Sequence, residues 1–270
     1  MTAAMALVTG AAGGIGLEVA QRLAAAGYTV LAAERDDELA QMASRRIGRG
    51  SAPVAADLAD ATAVDALCGR IESEWGDALD VCFLNAGIII PSDVVDTSAE
   101  EIDLQLQVML TSAIKLARSA ASVMQPRETG SIVATVSMGG VLAMPGSATY
   151  SAAKAGLRAF LAALHLELRS SGVRVGGVYP SAVDTQMLQH EARHGGSPLN
   201  FAGAISSVTD VADGVEKVMR TGRLEVFVPT SDGLLARLLQ ATPRLVPYVL
   251  PPANWLGERG RRRYLAKIGP

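Results

Sequence analysis

Short aliphatic and β-branched runs alternate with longer amphipathic stretches from residue 4 to about residue 229, and this alternation restricts the fold more than any other feature. A strand–helix–strand unit within one sheet needs a crossover. Crossovers of that kind run the strands parallel and lay the helices over both faces. Strand-like runs fall at 6–9, 29–33, 53–56, 81–84, 131–136, 173–178 and 225–228. Helical spacing falls at about 14–26, 36–46, 61–75, 99–124, 150–171 and 210–221. The expected fold is therefore α/β, a doubly wound, seven-stranded parallel sheet with helices on both faces and ligands at the carboxyl ends of the strands.

Composition agrees with that plan. Of 270 residues, 49% are hydrophobic and 19% charged, enough apolar material for a large core, and the low aromatic content of 4% makes it a core of Ala, Val, Leu and Ile. A single domain over 1–230 is expected, with an extension over 231–270 packed on or beside it. Lys plus Arg number 24 against 27 Asp plus Glu, a net charge of −3, which speaks against nucleic acid as a partner. Cys68 and Cys82 read as two buried thiols, which suits a cytoplasmic setting. The first ten residues lack a basic leader region, and no apolar run reaches the roughly 18 residues that span a membrane.

Immediately after the first strand stands TGAAGGIG, Thr9 to Gly16, followed by an amphipathic helix. Gly10, Gly14 and Gly16 permit a tight turn and a close approach of pyrophosphate to the backbone, and the helix N-terminus adds partial positive charge. An adenosyl-methionine-dependent methyltransferase can carry a similar turn, so the loop alone leaves the ligand open. The second strand ends at Glu34, where a carboxylate accepts hydrogen bonds from both ribose hydroxyls and repels a 2′-phosphate, favouring NAD. Arg35 follows directly and keeps NADP open.

From Ser131 the chain reads SIVATVSMGGVLAMPGSATYSAAKAGL, a strand, a glycine-containing loop and a helix. Ser137 ends the strand, and Tyr150 and Lys154, four residues apart, share a helical face. An ammonium near a phenol favours the phenolate, so Lys154 is expected to lower the pKa of Tyr150 from its ordinary ~10, while Ser137 bonds the oxygen on which charge develops.

These residues, with Asp57 after the third strand and Asn85-Ala86-Gly87 after the fourth, resemble the short-chain dehydrogenase/reductase family over about residues 5–227. The resemblance implies a Rossmann-like fold and reversible hydride transfer between a nicotinamide and a hydrophobic secondary alcohol or ketone. It implies that Tyr150 is the general acid/base, Ser137 orients substrate and Lys154 holds the nicotinamide ribose. By the same resemblance the cofactor contacts are Thr9, Gly10, Gly14, Ile15, Gly16, Glu34, Arg35, Asp57, Leu58, Asn85, Ala86, Gly87, Tyr150, Lys154, Pro180, Val183 and Thr185. It further implies a homodimer or homotetramer formed through the helices at 99–124 and 150–171.

Two positions depart from the family pattern. Ser181 stands where a glycine is usual, which predicts strain if that position needs positive φ. Met109 stands where an asparagine usually supports a proton relay, so a catalytically weak nucleotide-binding regulator is the alternative reading. His165, His190 and His194 are too scattered for a metal site. Residues 185–207 read as a mobile substrate loop, and Met138, Leu142, Met144, Met187 and Leu188 as an apolar substrate wall. The tail over 231–270, with its leucines and arginines, reads as a docked extension, a lid, an oligomer contact or a membrane-surface helix.

Overall fold

The computed structural model describes residues 4–48 and 50–269. Seven parallel strands, β1 (Met5–Thr9), β2 (Thr29–Glu34), β3 (Ser51–Ala55), β4 (Leu79–Leu84), β5 (Ser131–Thr135), β6 (Arg174–Pro180) and β7 (Glu225–Val228), form one sheet in the order β3-β2-β1-β4-β5-β6-β7. The chain winds outward from β1 to β3, then returns to lay β4 on the other side of β1. The carboxyl ends of β1 and β4 thus flank the crevice at the topological switch point.

Strand composition reflects burial on both sides. Leu7 of β1 faces one core and Ala6 and Val8 face the other, so alternation separates two apolar layers rather than apolar from polar. Helices α1 (Gly14–Ala25), α2 (Asp37–Ile47) and α8 (Val208–Thr221) cover the Ala6/Val8 side; α3 (Ala61–Arg70), α4 (Ala99–Leu106), α5 (Ser112–Met124) and α6 (Ala148–Glu167) cover the Leu7 side. Pro53 is tolerated within β3 because that strand is the sheet edge, where a missing N–H donor costs least. Cys68 and Cys82 are free thiols, and burial pushes the Cys82 thiol up to about 12.

The expected long helix at 99–124 is interrupted by a π-helical turn at Gln107–Thr111, which places Met109 inside the bend. The segment over 185–207, expected as a loop, carries helical structure. That segment contains α7 (Gln186–His194), capped by the Thr185 hydroxyl, and a 3-10 turn at Pro198–Phe201. Leu188, Glu191 and Ala192 share its buried face, a pattern too short to register against the polar residues around it. The tail forms α9 (Thr230–Ala241) and α10 (Val246–Ile268).

Helix α10 lies against the Pro198–Phe201 turn with backbone touching backbone. A Cβ at Gly257 would stand 2.0 Å from the Pro198 carbonyl oxygen, and one at Gly260 1.9 Å from that of Phe201. Tyr264, one helical turn on, packs on Phe201 with ring centroids 5.5 Å apart and joins a third apolar cluster with Ala182, Leu188 and Ala192. Its hydroxyl donates to Asp184 Oδ1 at 2.6 Å. The tail thereby braces the segment after β6. Among the described residues no helix is long and apolar enough to cross a membrane.

Candidate active site

One cleft of about 980 Å³ runs along the carboxyl ends of the strands, from the glycine turn to α7. The glycine turn is built by contact as much as by flexibility. Gly10 and Gly14 take positive φ of 67° and 52°, and a Cβ at Gly16 would fall 2.0 Å from the Gly10 carbonyl oxygen. Gly16 is buried behind the turn and does not line the cleft, so its expected cofactor contact becomes a packing role; Thr9, Gly10, Gly14 and Ile15 do line it.

Glu34 reaches back from the end of β2, and its Oε1 accepts the Ala12 N–H at 2.7 Å. The carboxylate is therefore fixed at the mouth of the turn. Arg35 lines the cleft, largely exposed, and pairs with Asp36 at 3.2 Å; Arg46, unremarked in the sequence, also lines it and donates to the Ala12 carbonyl at 2.7 Å. Asp57 and Leu58 lie on the same wall; Asp57 accepts the Ala59 N–H at 2.9 Å, while Asp60 caps α3.

Asn85 is a brace. Its side chain donates to the Thr9 and Gly10 carbonyls, each at 3.2 Å, and accepts from the Thr135 hydroxyl at 3.0 Å. The Thr9 hydroxyl accepts from the Asn85 and Ala86 amides at 2.9 and 3.1 Å. These bonds clamp the ends of β1, β4 and β5 together, leaving the backbone of Asn85, Ala86 and Gly87 to line the groove. Pro180, Val183 and Thr185 form the opposite wall; the Thr185 methyl lies 3.3 Å from where a Gly14 Cβ would be. Ser181 shows no left-handed backbone: Glu128 is the sole non-glycine of positive φ among the described residues, so the expected strain is absent.

Ser137, Tyr150 and Lys154 converge on this cleft. Ser137 Oγ accepts the Gly139 N–H at 3.0 Å, and the position of a Gly139 Cβ lies 3.3 Å from Tyr150 Cε1 and 3.4 Å from Ser137 Oγ, which puts the two side chains side by side. Lys154 Nζ stands 5.8 Å from the Tyr150 ring centroid and donates to the Thr135 carbonyl at 2.8 Å. The acidification expected of the phenol is opposed by burial. Burial dominates and pushes Tyr150 up to about 12, with Ser137 pulling the other way. Burial equally brings Lys154 down to about 8. The one hydrogen bond of the Lys154 amine among the described residues goes to that backbone carbonyl.

Met109 is fully buried, and a Cβ at Gly87 would lie 3.7 Å from its sulfur and 3.8 Å from Lys154 Nζ. A void of about 10 Å³, on the order of one water, lies between Thr9, Met109, Ser112 and Lys154. Within the π turn the Val108 carbonyl accepts the Ser112 hydroxyl at 2.7 Å.

Of the expected substrate wall, Met144, Met187 and Leu188 line the cleft; Met138 and Leu142 pack against the core instead. His165 bonds the Val175 carbonyl at 2.8 Å, and His190 and His194 stack on α7 with centroids 4.2 Å apart. Glu191 and Asn200 at the substrate end escaped the sequence reading, because nothing in a short polar segment marks which residue turns inward.

A strand-end glycine turn facing a Ser, Tyr and Lys set across one cleft agrees with the match of residues 4–195 to the family described as short chain dehydrogenase. The chain belongs to the short-chain dehydrogenase/reductase family. An uncharacterized short-chain type dehydrogenase/reductase of Sinorhizobium fredii is 38% identical over 188 residues, 68% of this chain and 71% of that one. The 3-oxoacyl-[acyl-carrier-protein] reductase of Escherichia coli is 30% identical over 214 residues, 78% of this chain and 87% of that one. Among solved structures, a short-chain dehydrogenase of Sphingobium yanoikuyae in complex with NADPH superposes with a TM-score of 0.78 at 24% identity, covering 91% of this chain and 96% of that one. The residues of this short-chain dehydrogenase/reductase fit a nicotinamide dinucleotide: the glycine turn opens on the cleft at the head of α1, and Glu34 is fixed beside it through the Ala12 N–H.

Proposed function

We propose that the protein interconverts a hydrophobic secondary alcohol and its ketone using a nicotinamide cofactor, NAD in preference to NADP. The convergence of Ser137, Tyr150 and Lys154 opposite the glycine turn carries this reading. A bound nicotinamide would supply or accept the hydride. The chain's own part is to place the reacting oxygen and handle its proton. The Tyr150 phenol gives a proton to the oxygen of a ketone being reduced, or, as the phenolate, takes one from an alcohol being oxidised. Ser137 Oγ, held by the Gly139 amide, bonds the same oxygen and fixes its orientation. Lys154, anchored to Thr135, positions the ribose and places positive charge under the phenol.

The phenol holds its proton to about 12, so the form that can donate to a ketone predominates at neutral pH, and the form that can accept a proton from an alcohol grows as pH rises. Glu34 supports NAD, since its carboxylate opposes a 2′-phosphate. Arg46 and Arg35, both lining the cleft nearby, support NADP as the second reading. A regulator with little turnover is the other alternative, favoured by Met109 beside Lys154 and by the tightly held phenol proton. An exposed stripe on α6, Ala152, Ala155, Ala159, Ala163 and Leu166, supports assembly as a homodimer or homotetramer.

The test is turnover of either reduced cofactor with a panel of cyclic and linear ketones. The proposal expects cofactor oxidation that falls at least about a hundredfold in Tyr150→Phe while cofactor affinity is kept. Cofactor binding with no Tyr150-dependent turnover across the panel supports the regulator.

A further inference from the structure

At the substrate end of the cleft, Glu191 of α7 is 6% exposed and still lines the cavity together with Tyr150, Met187 and Asn200. Its one side-chain hydrogen bond among the described residues comes from Asn200 Nδ2 to Oε1, at 2.8 Å. Gly196 closes over it: a Cβ there would stand 2.5 Å from Glu191 Cβ and 3.0 Å from Oε1, and the Gly196 N–H donates to the Glu191 carbonyl at 2.9 Å. Asn200 sits in the Pro198–Phe201 turn that α10 covers, so the carboxyl is held by packed backbone on two sides.

The charged neighbours are turned elsewhere. Arg193 bonds the Gly269 carbonyl, Lys267 faces Asp184 at 3.9 Å, Tyr264 bonds Asp184, and His190 and His194 stack on each other. From α6 the Tyr150 phenol faces Glu191 and holds its proton more tightly because of it. Apart from Asn200, the groups acting on the carboxyl bring no compensating charge.

We propose that Glu191 forms a recognition subsite for a second polar group of the substrate, a hydroxyl remote from the reacting carbon, and so selects hydroxylated ketones and diols over plain ketones and keto acids. This rests on the oxidoreductase reading and gives it a substrate class. A buried carboxyl with one partner keeps unused hydrogen-bonding capacity, and filling the cleft with hydrocarbon would leave that capacity stranded. Sites built around a buried polar group discriminate against the analogue that cannot bond it. A hydroxyl satisfies the group in both protonation states, donating to a carboxylate and accepting from a carboxylic acid. Burial raises Glu191 to about 7, so both states are populated near neutral pH. A substrate carboxylate would meet like charge at an ionised Glu191, whose one side-chain partner among the described residues is the neutral Asn200.

The experiment compares cyclohexanones bearing a hydroxyl or hydroxyethyl group opposite the carbonyl with their methyl and propyl counterparts. The readout is the ratio of kcat/KM within each pair, in wild type, Glu191→Leu and Glu191→Gln. We expect wild type to favour the hydroxylated member by about tenfold to a hundredfold. Glu191→Leu brings the ratio near one, and Glu191→Gln, which still donates and accepts, keeps part of it. An equal ratio in wild type and Glu191→Leu, or a wild-type preference for the alkyl member, overturns the subsite. If wild type shows no turnover that Tyr150→Phe removes, the oxidoreductase proposal fails on its own. Calorimetric binding of the same pairs to the cofactor-loaded protein then reads the subsite, and equal affinity within each pair overturns it.

Discussion

Lys154 is expected to cost the protein stability, by an amount the structure allows us to work out. The residue is 3% exposed, and burial takes its ammonium from an ordinary 10.5 to about 8. At 1.36 kcal/mol per pH unit that difference opposes folding by about 3 kcal/mol. Lys154→Met removes the charge, keeps the length, and fits the largely apolar lining of Met109, Leu157 and Ala86. Losing the bond to the Thr135 carbonyl returns about 1 kcal/mol, leaving a net gain of about 2 kcal/mol. For a chain of this size the gain corresponds to a Tm higher by about 4–8 °C at pH 7.

The sign fixes the pH dependence. A base with a lowered folded pKa carries its full penalty below about pH 8; the penalty shrinks as pH rises and is gone above 10.5, where both folded and unfolded states are neutral. Thermal melts of cofactor-free wild type and Lys154→Met should therefore draw together above pH 8 and cross before pH 10.5, where only the lost Thr135 bond of about 1 kcal/mol separates them, while turnover of the variant collapses at every pH. A variant that melts below wild type at pH 7, or a gap indifferent to pH, would refute the assignment of the cost to the buried ammonium.

Three further outcomes follow from the same geometry. Glu34→Ala should lower the NAD-to-NADP ratio of kcat/KM by about tenfold, the effect of roughly 1.4 kcal/mol of lost discrimination; an unchanged ratio would show that Glu34 serves only the Ala12 amide. Gly260→Ala has to move α10 from the Phe201 carbonyl by about 1 Å, an overpacking worth about 1–3 kcal/mol. Hydrogen exchange should then quicken about tenfold or more across α7 and α10 and not in β1 or β4, and uniform protection would contradict the docking. Glu191, raised from 4.5 to about 7, opposes folding fully above pH 7 and not at all below 4.5. Glu191→Gln should accordingly melt several degrees higher than wild type at pH 8 and level with it near pH 4.5; a pH-independent difference would place the effect outside the carboxyl.

Legibility in the sequence followed the range of the interactions. Strands β1, β2, β4 and β5 were readable because burial on both faces demands aliphatic runs, and the glycine turn because Gly10, Gly14 and Gly16 answer to local backbone geometry. Tyr150 and Lys154 were readable as a pair because four residues make one helical turn. Short α7 was missed because its inward face consists of only Leu188, Glu191 and Ala192. Asn85 was assigned to the cofactor groove, yet its side chain is engaged by partners about 50 and 75 residues away, which no local pattern announces.

Sequence alone thus determined the parallel sheet, the order of its helices and the identity of the residues that meet at its rim, since hydrophobic period, turn chemistry and helical spacing act over a few residues. The tertiary structure decided which charges those residues hold and what faces the substrate. Burial, a property of the assembled chain, drives the Tyr150 phenol up, the Lys154 ammonium down and the Glu191 carboxyl toward neutrality. The close seating of α10 on the Pro198–Phe201 turn, through Gly257 and Gly260, fixes the end of the cleft where Glu191 waits.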